Sequence, residues 1–206
     1  MNEWILRINT AGLPLSWLSW QEAVSLHARE LVSWTFGETL KVVRGGYSKT
    51  GQRTVLALTS VLACKGRVVS MDSKAALSNA TLFKRDHYRC LYCGLALPAT
   101  ALSRDHVHPV SRGGKDEWMN VVTACKRCNA RKGNRLLSES ALSLLALPYR
   151  PNHAEYLALT HSGRILGDQM TFLQNQFSIN GRGLRGRGNS LLKRSTRPNR
   201  RLNCVI

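Results

Sequence analysis

The spacing of apolar and polar positions in the first third of the chain predicts a small α/β segment, which we assign to residues 1–77. Short apolar runs bounded by turn residues are typical of strands. Ser19 followed by Glu22 forms a capping box, and the apolar residues behind it recur at helical spacing, so a helix is predicted over about 20–32. The predicted strands cover residues 4–8, 39–43 and 54–63.

The pattern further along predicts a second unit, residues 78–150, in which strands and helices alternate. Ser78 is a suitable N-cap for a helix running to about Asp86. Apolar spacing indicates a later amphipathic helix over 138–147, ended by a proline. Between these helices we expect strands over 102–107 and from 120, then a short helix over 125–132 followed by Gly133. The predicted fold class is therefore α+β.

Charge changes this picture, because 30 Lys and Arg residues stand against 12 Asp and Glu residues and give a formal net charge of +18. Residues 83–135 contain 11 basic and 4 acidic side chains, and residues 182–206 contain 8 basic and none acidic. Such an excess favours a polyanionic partner. The longest mostly apolar stretch, 54–63, is too short to span a membrane as a helix. The N-terminus lacks a signal-peptide pattern, so we expect a cytoplasmic protein.

The last part of the chain is predicted to be a C-terminal extension, residues 151–180, followed by a disordered basic tail, residues 181–206. The extension has mixed signals and gives no firm elements. The tail is rich in Gly and Arg and contains no aromatic residue, so it cannot bury enough apolar surface to offset its ordering entropy. Its charge would add non-specific affinity for phosphates, although a solvated end without a specific role is equally compatible with its composition.

Two Cys-x-x-Cys pairs, Cys90 with Cys93 and Cys125 with Cys128, are separated by 31 residues. Two Cys-x-x-Cys motifs in one chain are typical of a structural zinc site with four thiolate ligands. Disulfides are disfavoured in a reducing cytosol, and thioredoxin-like redox chemistry needs only one pair. The cysteines therefore predict bound Zn²⁺.

The insert between the two pairs carries a polar cluster. An oxygen-rich pair such as Asp105 and Asn129 suits a hard cation such as Mg²⁺ better than zinc. A neutral histidine beside that pair can take a proton from water near neutral pH. With basic residues to hold phosphates, these are the parts that metal-assisted phosphodiester hydrolysis requires. The cluster consists of Asp105, His106, His108, Asn120 and Asn129.

The motifs of this region occur in a specific order. They read Asp105-His106-Val-His-Pro, Gly113-Gly114, Asn120-Val-Val, Cys125-x-x-Cys128-Asn129 and Lys132-Gly133. This series, over roughly 83–135, resembles the HNH endonuclease family, and most closely its bacterial and phage members with a four-cysteine zinc site. The opening LRINTAGLPLSWLSWQEAV is similar to the leader of one branch of these proteins.

The resemblance implies a ββα-metal core stapled by zinc and a function in cleaving DNA in a bacterial or phage-infected cell. It implies that His106 is the general base, while Asp105 and Asn129 hold one Mg²⁺ or Mn²⁺ ion against the scissile phosphate. Asn120 would brace the loop that positions His106, and the products would carry 5′-phosphate and 3′-hydroxyl ends. Asn129 stands where many members have a histidine. The candidate phosphate contacts are Arg112, Lys115 and Lys132, although a solvated loop fits Arg112 and Lys115 nearly as well.

Strand geometry leaves the choice of general base open between two histidines. Neighbours in a regular strand point to opposite faces, so Asp105 and His106 share a site only if the strand breaks there. Pro109 and the glycine pair favour such a break. The alternative is His108, which alternation places on the same face as His106; we favour His106 and expect His108 to be a loop residue or phosphate contact.

Two other functions fit the same residues. A zinc-stapled nucleic-acid-binding protein without catalysis would have the same charge and cysteines, and it would bind DNA in a salt-sensitive way without producing cleaved ends. A nuclease acting on RNA would be separated by comparing cleavage of RNA and DNA. These motifs alone do not distinguish homing, phage genome processing, restriction and repair.

Overall fold

The computed structural model describes residues 4–47, 49–66 and 75–178, and this part of the chain has the α+β fold that the sequence predicts. The predicted basic tail lies outside the described residues. No described helix has the length and apolar character needed to cross a membrane. The strands are β1 (Ile5–Asn9), β2 (Pro14–Leu18), β3 (Val32–Tyr47), β4 (Arg53–Cys64), β5 (Leu102–His106) and β6 (Val121–Cys125). The helices are α1 (Trp20–Ala28), α2 (Asn79–Arg85), α3 (Lys126–Lys132), α4 (His153–Thr160) and α5 (Gly167–Gln174).

The first four strands form one mixed sheet in the order β2-β1-β4-β3. β1 pairs with β2 in an antiparallel manner and with β4 in a parallel manner, while β3 and β4 form a long antiparallel pair. The alternation of buried residues divides this sheet into two apolar faces. On one face Ile5, Leu58 and Leu62 pack with Ala23 of α1.

The other face of the sheet is covered by the two C-terminal helices. Leu6, Ile8, Val61 and Ala63 pack against apolar residues of α4 and α5, including Leu173, which is fully buried. The sheet therefore lies between α1 and the α4–α5 pair, so residues far apart in sequence complete one layered unit. The predicted division at 77 and 150 remains a prediction, but residues 152–178 are packed on the N-terminal sheet.

β5, β6 and α3 form a smaller unit, which lies along the chain between the strands of the sheet and the helices α4 and α5. β5 and β6 pair in an antiparallel manner from Leu102 opposite Cys125 to His106 opposite Val121, and α3 follows β6 directly. Arg85 of α2 is buried beside this hairpin and donates to the carbonyl oxygens of Trp118, Val121 and Tyr149. Because these carbonyls belong to separate segments, one guanidinium group fixes α2 against the hairpin and the loop that follows it.

Several predicted elements differ from the structure. The helix predicted over 138–147 is wrong: a single 3₁₀ turn, Leu137–Glu139, is followed by extended chain. There Leu142 and Leu144 pack on the cysteine-rich cluster with a spacing of two residues, and the Leu145 N–H donates to the Leu91 carbonyl oxygen at 2.9 Å. Tertiary contacts of alternating leucines therefore outweigh local helix propensity.

The remaining differences concern the limits of elements. α1 ends at Ala28, four residues before its predicted end, because Glu30 takes a left-handed backbone conformation and β3 begins at Val32. β3 is much longer than the predicted strand over 39–43, and β2 follows a turn where we expected no strand. No elements were predicted over 152–180, where Asn152 and Glu155 form a capping box that starts α4.

Candidate metal centre and active site

The two cysteine pairs come together at one end of the β5–β6 hairpin. Their four Sγ atoms lie within 4.8 Å of one another, and none of these cysteines forms a disulfide. A tetrahedral zinc ion with Zn–S bonds of about 2.3 Å would place its sulfur ligands about 3.8 Å apart. Cys93 Sγ and Cys125 Sγ are 4.0 Å apart, so this group of thiols suits a small metal ion with little rearrangement.

Backbone geometry holds each pair in place. The N–H of Gly94 donates to the Cys90 carbonyl oxygen at 2.8 Å, and Gly94 takes the positive φ of 76° that a tight turn around a metal requires. Cys125 is the N-cap of α3, and its Sγ accepts from the N–H of Cys128 at 3.3 Å. Burial raises the pKa of the Cys90 thiol, but hydrogen bonds from the backbone of Cys125, Cys93 and Tyr92 outweigh burial and bring that pKa down to about 7. These donors favour the thiolate form of Cys90, whereas burial raises the pKa of the Cys128 thiol.

Asp105 lies on the face of β5 that is directed into the small core. Its carboxylate is buried, with one oxygen accepting from Lys132 Nζ at 3.2 Å and the other from the Tyr92 hydroxyl. Lys132 is also buried, and its ammonium group donates to the His106 carbonyl oxygen at 2.6 Å. The last turn of α3 is thus tied to the end of β5 by a buried ion pair, and this lysine is directed towards Asp105 rather than solvent.

Asn129 lies one turn earlier on α3, on the side that faces β5. Its amide nitrogen donates to Ser103 Oγ at 2.9 Å and to the Arg104 carbonyl oxygen at 3.2 Å. Within the described part of the chain, its Oδ1 atom has no hydrogen-bond donor. Asn129 therefore presents an uncommitted amide oxygen on the same side of the strand as the Asp105 carboxylate, and oxygen donors of these two kinds suit a hard divalent cation.

His106 occupies the opposite face of β5, and its imidazole is held by an acidic residue. His106 Nε2 lies 2.9 Å from Asp116 Oδ1, and Arg104 Nη1 donates to Asp116 Oδ2 at 2.6 Å. The hydrogen bond from Arg104 is the largest cause that holds the pKa of Asp116 below its ordinary value, and the hydrogen bond with His106 adds to it. About a quarter of the His106 side chain is exposed, so its ring is accessible to solvent.

Asn120 closes the loop that follows β5. Its Oδ1 accepts from the His108 N–H at 2.8 Å, and its Nδ2 donates to the carbonyl oxygens of His108 and Lys115 at 3.0 and 2.8 Å. A side chain on Gly114 would place its Cβ 1.9 Å from the His108 carbonyl oxygen, so only glycine fits this loop. Asn120 thus joins both ends of the loop, while the His108 side chain is exposed.

The predicted phosphate contacts have different surroundings. Arg112 forms an exposed ion pair with Glu139 at 2.7 Å, and that contact lowers the pKa of Glu139. Lys115 is exposed on the same loop. Lys132, in contrast, is buried inside the core.

Three further residues contact the predicted site residues or their partners but were not predicted from the sequence: Asp116, Arg104 and Tyr92. Asp116 is ten residues beyond His106 and stands beside a second acidic residue, Glu117, so nothing in the sequence distinguishes it as the partner of the histidine. Arg104 is two residues before His106, which is the spacing for one face of a strand. Tyr92 lies between Cys90 and Cys93 in the sequence, and nothing in that position predicts that its hydroxyl binds a carboxylate.

Comparison with known proteins identifies the family that the segment with the two cysteine pairs resembles. Residues 90–145 match the sequence model of the HNH endonuclease family, which confirms the resemblance seen in the motifs. A stretch of 71 residues is 32% identical to the CRISPR-associated endonuclease Cas9 of Corynebacterium diphtheriae. That match covers 34% of this chain and 6% of the relative, so the chain spans only a small part of that protein's length. The two matches support a nuclease function in general terms.

Proposed function

We propose that this protein is a metal-dependent endonuclease that hydrolyses DNA phosphodiester bonds at the end of β5, with β5, β6 and α3 as a ββα-metal core. The observation that carries this proposal is the His106 imidazole at the end of β5, which is accessible and paired with the Asp116 carboxylate. Asp105, the preceding residue of β5, and Asn129 of α3 supply a carboxylate and an amide oxygen for a divalent cation. The match of residues 90–145 to HNH endonucleases supports the same function.

We assign the four cysteines to a structural Zn²⁺ ion. The thiol spacing fits tetrahedral coordination, and the site has four protein ligands, which leaves no open position for a substrate. The ion would join the loop containing Cys90 to the start of α3. Its role is therefore to hold the hairpin and helix in register.

His106 is the proposed general base. With Nε2–H donating to Asp116, the imidazole keeps the tautomer in which Nδ1 has a free lone pair. Nδ1 takes the proton of the attacking water, and the Asp116 carboxylate stabilises the imidazolium that forms. Asn120 maintains the loop behind this histidine. Arg112 and Lys115 are the proposed contacts to neighbouring phosphates of the DNA backbone.

Asp105 and Asn129 are the proposed ligands of a Mg²⁺ or Mn²⁺ ion. When bound, such an ion supplies positive charge against the scissile phosphate and the leaving oxygen. Tyr92 and Lys132 fix the orientation of the Asp105 carboxylate through their hydrogen bonds. We therefore reassign Lys132 from phosphate contact to support of Asp105.

A second candidate function is DNA binding without catalysis. The observation that favours it is the buried ion pair between Asp105 and Lys132, together with the placement of Asp105 and His106 on opposite faces of β5. A buried carboxylate that is already paired with an ammonium group is a weaker metal ligand than a free one.

The two functions differ in one experiment. Supercoiled plasmid is incubated with the purified protein and Mg²⁺ or Mn²⁺, and nicked and linear products are measured. We expect cleavage that falls by roughly 100- to 10,000-fold in His106→Ala, because the general base is lost. Zinc content, measured on the same preparations, should be unchanged.

The matched control is His108→Ala, which removes an exposed imidazole two residues away. Activity lost in His108→Ala but kept in His106→Ala would transfer the role to His108. Full activity in both variants would exclude a histidine base, and salt-sensitive binding without products at any divalent metal would establish the second candidate. An RNA substrate run in parallel separates a DNA nuclease from one that acts on RNA.

A further inference from the structure

The longest strand pair of the protein extends well beyond the core of its sheet. β3 is the edge strand of the sheet, and β4 is covered on its other side by β1 only from Val61 to Cys64. From Thr39 opposite Thr59 to Tyr47 opposite Arg53, the two strands pair with each other alone. This segment, residues 39–47 and 49–59, is called the ribbon below. Its nine residues on β3 correspond to about 27 Å of extended chain.

The ribbon is basic and contains no acidic residue. Its four cations, Lys41, Arg44, Lys49 and Arg53, are all exposed. Near the tip, the Arg53 guanidinium lies over the Tyr47 ring at 5.7 Å, and the Tyr47 side chain is 73% exposed. Cations and an accessible aromatic ring at the end of a projecting arm form a surface suited to an extended polyanion.

Only part of the ribbon contributes to packing. Leu40, Val43 and Leu56 pack partly on the core next to α1, whereas Val42 and Val55 are 50% and 59% exposed. The side that carries Val42 and Arg44 is therefore free of contacts that fold stability requires. Edge strands often carry lysines to prevent aggregation, and such protection needs no aromatic residue at the tip.

The dimensions match duplex DNA. The B-DNA major groove is about 12 Å wide and admits a two-stranded β-ribbon, whose strands are about 4.8 Å apart. The major groove of duplex RNA is too deep and narrow for side chains to read. Exposed apolar side chains on the ribbon can contact thymine methyl groups, and its cations can contact phosphates on both sides of the groove.

We propose that the ribbon is a second DNA-binding surface, separate from the β5–β6–α3 finger, and that it inserts into the major groove of double-stranded DNA. This inference deepens the proposed function, because it rests on DNA being the substrate. The ribbon supplies affinity and reads groove features, while the finger carries the chemistry.

The test compares two triple variants with the same change in charge. The ribbon variant is Arg44→Gln, Lys49→Gln and Arg53→Gln, and the control variant replaces three exposed cations elsewhere, Arg29→Gln, Lys65→Gln and Arg164→Gln. Both are made in the full chain carrying His106→Ala, so that binding is measured without cleavage. Fluorescence anisotropy with a labelled DNA duplex of about three helical turns gives Kd over salt concentrations from roughly 50 to 200 mM.

We expect the ribbon variant to bind DNA at least roughly 10-fold more weakly than the control variant, with the slope of log Kd against log salt reduced by about 2.7 for three lost phosphate contacts. A duplex RNA of the same sequence should lose less affinity. Equal Kd and salt slope in the two variants would overturn the proposal, and so would a loss confined to RNA. Circular dichroism melting of both variants verifies that these exposed substitutions leave the fold intact.

Failure of the ribbon proposal is distinguishable from failure of the proposed function. Catalysis is tested by products of the wild-type protein with Mg²⁺ or Mn²⁺, whereas the ribbon is tested by binding in a background without the histidine. Cleavage by the wild type with equal binding of the two triple variants would refute the ribbon alone. Ribbon-dependent binding with no cleavage would refute the endonuclease and retain the DNA-binding surface.

Discussion

The neighbouring residues Asp105 and His106 have opposite environments because a strand turns successive side chains to opposite faces. The first is buried with Lys132 and Tyr92, and the second is accessible and paired with Asp116. This separation lets one short strand hold a carboxylate in low dielectric while keeping an imidazole in contact with water. The pairing with Asp116 is the contact that sets the direction of the His106 ring.

Asp116→Asn should slow DNA cleavage by roughly 10-fold or more, although less than loss of the base itself, because the amide cannot stabilise the imidazolium. DNA affinity in a metal-free assay should not fall, since the substitution removes a negative charge next to Lys115, the proposed phosphate contact, and an exposed charge contributes little to binding. Single-turnover rates at saturating DNA, compared with Kd, separate these effects. Asp116→Glu should recover part of the rate. If the cleavage rate of Asp116→Asn equals that of the wild type, Asp116 has no role in the mechanism.

The same variant has a pH signature in stability. The pKa of Asp116 lies below its ordinary value of 3.8, so its contribution to folding is present above that pH and is lost as the pH falls through the lowered value. The difference in melting temperature between wild type and Asp116→Asn should therefore be small but measurable at neutral pH and should vanish in acid.

The motif residues could be identified from sequence, whereas their partners could not. The series from Asp105 to Lys132 resembles a known family, so the residues stand out without a structure. Asp116 contacts His106 only because the loop closed by Asn120 returns to the strand, and the shape of that loop depends on Gly114 meeting the His108 carbonyl group. Such contacts follow from three-dimensional closure and leave no fixed spacing in the sequence.

At the scale of elements, the finger consists of a short hairpin and a helix of seven residues. Isolated helices of this length are marginal, so cross-links and tertiary contacts must provide the stability. The cysteine group connects the loop before β5 to the start of α3, and Leu142 and Leu144 cover it. We therefore expect the finger to depend on its metal.

Cys125→Ser should release the bound zinc and unfold the finger, because zinc binding contributes on the order of 10 kcal/mol in small domains. Metal content by atomic absorption and circular dichroism of the full chain measure the outcome. The control is Cys64→Ser, which changes a buried thiol in the sheet and should keep one zinc per chain. Native dichroism with one bound zinc in Cys125→Ser would contradict a structural role for this site.

Elements with local start signals were predictable, and those fixed by distant contacts were not. Ser19 and Ser78 cap α1 and α2 as predicted, since a capping box acts within four residues. The segment 138–147 also has helical spacing, but its alternating leucines find a partner surface on the cysteine cluster. Residues 152–180 gave no firm pattern because the face that their helices cover belongs to strands more than ninety residues earlier in the chain.

At the scale of the whole molecule, the layered sheet and the finger are supported by different interactions. Apolar packing of α4 and α5 completes the sheet, whereas the finger relies on its cysteine group and on the buried Arg85. A substitution that destabilises one unit should therefore leave the other unit largely folded.

Leu173→Ala should destabilise the sheet by about 2–5 kcal/mol, because it leaves a cavity at a fully buried position between α5 and the strands. Hydrogen exchange of the β1 and β4 amides should accelerate while the zinc content remains at one per chain. Leu145→Ala, at a leucine that is 63% exposed, is the control and should change neither quantity. If Leu173→Ala lost both its bound zinc and the hydrogen-exchange protection of the sheet, the sheet and the finger would form one cooperative unit.

The packing of α4 and α5 on the first strands has a consequence for how the chain is made. The ribosome completes β4 more than one hundred residues before α5, so the apolar face formed by Leu6, Ile8, Val61 and Ala63 has no cover during that interval. At ordinary rates of synthesis the interval lasts on the order of ten seconds. We therefore expect this apolar face to be accessible to chaperones during translation, and the whole of the finger to be synthesised before α5 can cover the sheet.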